Sequence, residues 1–294
     1  MSSTIGVEEL DSTRNRILTL IAILVAVDIA TSLFVFANLP EQGIVDARTA
    51  ITDVEVMLST GSAAGLGLLV AVKQGLKGLH GKTYAALALG LLMWTAGEIL
   101  WVYYEVVLQD ELPDASIADA FWIFGYGFIG YHLFKNYRYF GRKIDRKLVI
   151  AVGALIAAAI AYVSGETISI TQNGSVEDML TAIIRISYGI GDFVIIYPAL
   201  LLVITLRKAK LHFSPWFFIT VGLLLTASAD VIFALVSILE LIEAEWIANL
   251  LYDAANMTIA GGLYWYYKHI VSFGNNAKFP KTPPPASPPI IVKN

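Results

Sequence analysis

The sequence predicts an all-α polytopic membrane protein of eight transmembrane helices, built as two parallel four-helix repeats with both termini inside the cell (N-in/C-in). Three observations carry that prediction. The 294 residues are 57% hydrophobic and 15% charged, too apolar for an ordinary soluble domain. Apolar runs of roughly 20 residues, enough to cross a bilayer at about 1.5 Å per residue, recur along the chain. Basic and acidic residues then alternate between successive connections. Continuous runs favour helices over barrel strands, which would show alternating segments of about ten residues.

Helical segments are expected near 16–38, 56–74, 83–108, 118–138, 147–164, 181–206, 214–239 and 246–269. Residues 1–15 are polar, carry both charge signs and lack the basic–apolar–small order of a cleaved signal peptide. They read as a cytoplasmic segment ahead of a retained first span. Pro40, Pro113 and Pro215 fall at expected helix ends, where proline is tolerated. Pro198 falls inside the sixth segment, after Gly189 and Gly191, and predicts a kink there. Lysine and arginine collect after the second, fourth, sixth and eighth segments, as in Lys73, Lys77 and Lys82 or Arg207, Lys208 and Lys210. The alternate connections are acidic: Glu41, Asp46, Asp53 and Glu55, then Asp110, Glu111 and Asp114, then Glu240, Glu243 and Glu245. The positive-inside rule places the basic connections and both termini in the cytoplasm of a multi-pass cell-membrane protein. The membrane domain is read as 16–271, with halves 16–140 and 147–271. The proline-rich 272–294 reads as a disordered cytoplasmic tail. With no cysteine, the chain has no disulfide, thiolate metal site or cysteine nucleophile.

An internal repeat supports the two halves. Gly90-Leu91-Leu92 through Glu98 aligns with Gly222-Leu223-Leu224 through Asp230, Asp119-Ala120 with Asp253-Ala254, and Gly127 with Gly261. Both stretches run from inside to outside and back, so the repeats are parallel.

The candidate site follows from helix faces. Trp94, Glu98, Trp101 and Glu105 are spaced four, three and four apart and share one face of the third helix. Thr226, Asp230, Phe233 and Ser237 do the same in the seventh, and Arg185, Tyr188 and Asp192 in the sixth. The fourth opens with Asp119, followed by Trp122 and Tyr126, and the eighth carries Asp253 and Asn256. A charge at the centre of a membrane helix costs at least about 2.5–3.5 kcal/mol on the insertion scale. Glu98, Asp192, Asp230, Asp253 and Arg185 are therefore expected to meet in one polar cavity in the outer half of the bundle. Trp94, Trp101 and Asp119 would line it. Arg185 would partner one acid, and the surplus acids would share protons. The competing reading is a hydrogen-bond network that fixes helix register without a ligand. Asp28 stands isolated, and Glu105 and Asp119 read as solvated near the surface.

Acids beside tryptophan and tyrosine suit a cation or an amine. Paired carboxylates also suit acid–base hydrolysis of a lipid. No phosphate-cradling glycine loop, serine elbow or kinase motif is present, so no catalytic residue is assigned. No metal or cofactor is predicted. His132 and His269 occupy similar places in the two halves and are the pair through which haem would bind, although no ligand-spaced pair lies on one helix. The basic connections are accounted for by membrane topology and give no sign of nucleic-acid binding.

The stretch LLMWTAGEILWVYYE…LPDASIADAFWIFGYGFIGY resembles the N-terminal membrane region of prokaryotic signalling proteins, the diguanylate cyclases and phosphodiesterases with GGDEF or EAL domains and some sensor histidine kinases. That region pairs a Trp- and Gly-rich helix with a Pro-x-Pro-Ser-x-Ala-Asp turn and an aromatic helix. Pro113, Ser116, Ala118 and Asp119 match the turn, and Ala115 replaces the second proline. The Gly222–Asp230 and Asp253 helices look like the second half of the same region. The resemblance implies a sensory module. Because the chain ends in a short tail, its output would pass to a separate cytoplasmic signalling protein or to subunits of a membrane complex. The expectation is thus a stand-alone membrane sensor or ligand-binding module. A lipid hydrolase, a small proton-coupled transporter and an accessory subunit are the alternatives.

Overall fold

Every element among the described residues is helical. A chain this apolar must satisfy its backbone N–H and C=O groups internally, and helices do so within one segment. The computed structural model describes residues 2–39, 47–109, 115–140, 145–171, 176–208, 214–238 and 245–272. The helices are α1 (Ser2–Asn38), α2 (Ala47–Gln74), α3 (Gly78–Val102), α4 (Ile117–Phe140), α5 (Arg146–Thr171), α6 (Val176–Lys208), α7 (Pro215–Ile238) and α8 (Glu245–Ser272). A π-helical turn, Tyr103–Leu108, extends α3. Five of the segments are long and apolar enough to cross a membrane: Ser12–Asn38, Ala47–Gln74, Gly78–Leu108, Met179–Lys208 and Pro215–Val236. The fold is that of a helical membrane protein.

Several boundaries differ from the sequence reading. Helix α1 begins at Ser2, so the polar leading segment has a helical backbone. Helix α2 begins at Ala47, about two turns early. Asp53 and Glu55 therefore sit on a helix and not in a connection, Asp53 buried and Glu55 half-buried. Helix α6 begins at Val176, ahead of the expected 181, and carries Pro198 inside it. Glu105, read as solvated, is buried on the π-helical turn. The proline-rich tail and most of the acidic connections lie outside the described residues.

Helices α3 and α4 pack as one antiparallel pair, and α7 and α8 as another. Helix α2 lies against α3 and α8, while α6 lies against α7 and α4. Helix α5 rests on α6, and α1 rests on α8 with little contact to α2. The core is made of large aliphatic side chains with no exposure, among them Leu91, Ile129, Ile195, Leu202, Leu223 and Ile259. Among the described side chains of α1, from Ser12 on, one stripe is buried, through Ile17, Asp28, Ser32 and Val35. Its other faces expose Leu20, Ile23, Val27 and Phe34. A helix apolar all round suits burial or a lipid surround.

Small residues set how closely the paired helices approach. A Cβ on Gly90 would stand 2.5 Å from Ile129 Cγ1 and 3.0 Å from the Gly125 carbonyl oxygen. A Cβ on Gly222 would stand 2.5 Å from Ile259 Cγ1 and 2.8 Å from the Ala255 carbonyl oxygen. Both pairs thus cross glycine to isoleucine, the close approach that small residues permit between membrane helices. Gly90→Val is expected to push α3 from α4 and destabilise the protein by about 1–3 kcal/mol. Gly127→Ala, which meets no atom within 4 Å, is expected to be neutral or slightly stabilising. Thermal unfolding of the two variants in detergent checks this.

Candidate functional site

The site begins at the start of α4. The Ala118 amide donates to Ser116 Oγ at 3.2 Å, and the Ser116 amide donates back to Asp119 Oδ2 at 2.7 Å. Serine and an acid three residues later form a capping box, which satisfies amides that a helix start leaves without partners. Asp119, buried and not solvated, also accepts from Tyr188 Oη of α6 at 2.6 Å through its other oxygen. The Ser-x-Ala-Asp part of the turn motif therefore fixes where α4 begins and ties it to α6.

One and two turns further along α4 stand the donors of the site. Trp122 Nε1 donates to Glu98 Oε1 of α3 at 2.9 Å. Tyr126 Oη lies 2.9 Å from Asp230 Oδ2 of α7 and 3.2 Å from Asp192 Oδ1 of α6. Tyr252 of α8 donates to Asp230 Oδ1 at 2.6 Å. Tyr126 Oη thus brings the Asp192 and Asp230 carboxyl groups together. One phenol carries a single proton and can donate to only one of them at a time.

Glycines seat the aromatic rings. Ideal Cβ atoms on Gly97, Gly125 and Gly191 would fall 2.4 Å from Trp122, 2.4 Å from Trp94 and 2.6 Å from Tyr126 respectively. Trp94 donates through Nε1 to the Trp122 carbonyl oxygen at 3.1 Å and meets the Tyr126 ring edge-on at 5.5 Å. It positions the donor helix and makes no bond to an acid. Trp101 lies 5.9 Å from Trp122, ring centre to ring centre.

Glu98, Asp192 and Asp230 thus come together, with Asp119 joined to the group through Tyr188. Two expected members do not join. Arg185 is exposed and forms no ion pair among the described residues. Sharing a helix face fixes where a Cα lies, but a long hydrated side chain can carry its charge out to the boundary. No basic side chain among the described residues neutralises the three acids. Asp253 follows Tyr252, yet about 100° round the helix it turns to different partners, Asp28 and Ser59. The sequence reading placed Trp122, Tyr126 and Tyr188 on the faces of the acids without counting them as ligand-binding residues, and did not name Tyr252, whose one signal was adjacency to Asp253.

No known protein family, curated protein or solved structure matches the chain.

The residues proposed for haem do not present a free ligand pair. His132 Nδ1 lies 2.9 Å from the Thr83 carbonyl oxygen, and Asn136 Nδ2 lies 3.3 Å from His132 Nε2. Both ring nitrogens are thereby engaged. The side chain of His269 lies outside the described residues.

Tyr126→Phe removes the hydroxyl that joins α4 to both α6 and α7. It is expected to lower stability by about 1–3 kcal/mol, the penalty of leaving buried partners without their bond. Tyr131→Phe, at an exposed position, is expected to leave the melting temperature unchanged. Parallel thermal melts decide it.

Proposed function

We propose that the protein is an integral membrane ligand-binding or sensory module whose ligand is a cation or an amine engaged by Glu98, Asp192 and Asp230. One observation carries the reading: three acids from three helices meet a set of phenol and indole donors, with no basic side chain among the described residues to balance them. An uncompensated negative charge in a low-dielectric bundle is neutralised by protons or by a cation. The aromatic rings beside the acids add cation–π attraction for an organic ammonium group. The likeness of the α3–α4 segment to the membrane region of signalling proteins agrees with a sensory role. A ligand that binds two helix arrangements unequally would shift their populations, and the output would pass to a separate cytoplasmic protein.

The same reading takes all eight helices as spans. Helices α4, α5 and α8 fall outside the five segments that are long and apolar enough by themselves, but α4 and α8 each pack against at least two other helices and α5 rests on α6. Both termini lie in the cytoplasm under the positive-inside rule. Glu98 then stands about 15 Å from the outer end of its helix, and Asp230 about 12 Å from the outer end of α7, at 1.5 Å per residue.

We further read α2–α4 and α6–α8 as repeats related by an axis along the membrane normal. The contacts support it: α2 on α8 answers α6 on α4, Gly90 on Ile129 answers Gly222 on Ile259, and Glu98 with Trp122 answers Asp230 with Tyr252. These pairs match Trp122 with Tyr252, not Asp119 with Asp253. A second reading, proton-coupled transport, draws on the two acids Asp192 and Asp230 that meet one phenol, a pair that a shared proton would stabilise. Proton-driven uptake into liposomes would favour it over sensing.

A panel of primary and quaternary amines is expected to include members that raise the melting temperature of the purified protein by several degrees. The Glu98→Gln/Asp230→Asn double variant is expected to insert normally and lose that response. An unresponsive parent, or a double variant that responds as the parent does, would sink the proposal. Topology is checked separately, and the absence of native cysteine makes labelling clean. Cysteines placed at Glu111 and Glu243 should react with an impermeant thiol reagent in intact cells. Those placed at Lys77 and Lys143 should react only after permeabilisation.

A further inference from the structure

A second group of acids lies beside the amine site, joined to it by neither a shared residue nor a hydrogen bond among the described residues, although Asp253 is within electrostatic reach of Glu98. Asp28 of α1, Glu55 of α2 and Asp253 of α8 each offer one carboxylate oxygen, all within 4.8 Å of one another. Asp28 and Asp253 retain only 6% and 2% of their exposure. In addition, one oxygen of each acid is buried and accepts no hydrogen bond: Asp28 Oδ2, Glu55 Oε2 and Asp253 Oδ1. Buried polar atoms are almost always bonded, so three orphaned oxygens in one group call for a partner that is not a protein donor. The donors that do approach are few. Ser59 stands beside Asp253, but its hydroxyl donates to the Val56 carbonyl oxygen at 3.0 Å and accepts from Asn256 Nδ2 at 3.0 Å. Asp28 and Asp253 face each other as two acids, and a metal ion would displace any proton they share.

The donor set selects the ion. It is all oxygen, with three carboxylates, a serine hydroxyl and no nitrogen or sulfur, the chemistry of hard cations. Ca²⁺ accepts irregular sets of oxygens at about 2.3–2.6 Å, whereas Mg²⁺ demands a near-ideal octahedron and keeps several waters. We propose that Asp28, Glu55 and Asp253 form a binding site for a divalent cation of the Ca²⁺ type, which clamps α1 to α2 and α8. Helix α1 is the one such a clamp would serve. It rests on α8 and barely touches α2, and beyond its single buried stripe it is exposed. Adjacent residues of α8 serve the two sites, Tyr252 the amine site and Asp253 the cation site, so an ion here would also fix the α8 rotation that holds Tyr252 on Asp230.

The test uses the purified full chain in detergent, stripped with chelator, and CaCl₂ as the probe. Ca²⁺ is expected to raise the melting temperature by several degrees and to slow amide hydrogen exchange in α1 around Asp28 above all. Mn²⁺ is expected to bind, with an altered electron paramagnetic resonance signal that Ca²⁺ displaces. Asp253→Asn and Glu55→Gln should each weaken Ca²⁺ affinity by at least about tenfold, since affinity follows the number of charged ligands. Without the ion they should be as stable as the parent or more so, because each removes a like charge. The Glu98→Gln/Asp230→Asn variant should keep its Ca²⁺ response, which separates this site from the amine site. No Ca²⁺-dependent change in the parent, or an equal change in the Asp253→Asn and Glu55→Gln variants, would overturn the proposal and leave a proton-sharing acid network. Should either variant fail to fold, the Mn²⁺ signal and exchange pattern of the parent decide alone.

Discussion

The structure turns on the phenol of Tyr126. Its hydroxyl lies within hydrogen-bonding distance of Asp230 and Asp192 at once, and so joins α4 to α6 and α7 at a point where no basic side chain is present among the described residues. Acids in an apolar bundle are costly alone and tolerable together when donors surround them. Between helices, each donor to these acids comes from an aromatic ring: Trp122 on Glu98, Tyr188 on Asp119, and Tyr126 and Tyr252 on Asp230. An aromatic ring delivers one polar hydrogen from a largely apolar body. The group is thereby satisfied without bringing in charge of the opposite sign.

Rings of that size need space inside a close-packed interior. Gly97, Gly125 and Gly191 provide it, since a Cβ at any of them would collide with Trp122, Trp94 or Tyr126. The Trp- and Gly-rich character of α3 and α4 is thus one feature, with each glycine the seat of a ring on the facing helix. The Trp94 bond to the Trp122 carbonyl then locks the donor helix against the helix that carries Glu98.

Much of this was legible in the sequence. Apolar run length gave the helices, and spacing of three and four put Glu98, Asp192 and Asp230 on inward faces. What could not be read is instructive. Arg185 shares a helix face with Asp192, but backbone position does not say whether a long side chain ends in the bundle or at its edge. Glu55 looked like part of an acidic connection because hydropathy falls there. Its helix nevertheless begins at Ala47, and burial comes from α8 packing alongside. Asp28 looked isolated because its partners lie far away in sequence, on α2 and α8. Ser116 and Asp119 carried the serine-x-x-acid spacing of a capping box, a local signal whose structural meaning was overshadowed by the motif around it.

Under the proposed two-fold relation, the halves differ where it matters chemically. Tyr126 of α4 meets Asp192 of α6, whereas the corresponding Asn256 of α8 meets Ser59 and Thr60 of α2. Asp119 meets Tyr188, whereas Asn249 meets Thr52. At these positions one interface between the halves is therefore acid and phenol, and the other amide and hydroxyl, with the acids of the second interface, Glu55 and Asp253, lying toward α1. Amide–hydroxyl contacts hold helices in register and need no counter-charge. An acid interface holds them equally well but carries a charge that something must balance. A purely structural network would have no reason to differ in this way between equivalent positions. Under the proposed binding role, the acids that face Tyr126 and Tyr188, where Asn249 and Asn256 make the equivalent contacts with hydroxyls alone, are the ones that would set the α4–α6–α7 junction apart as the amine site.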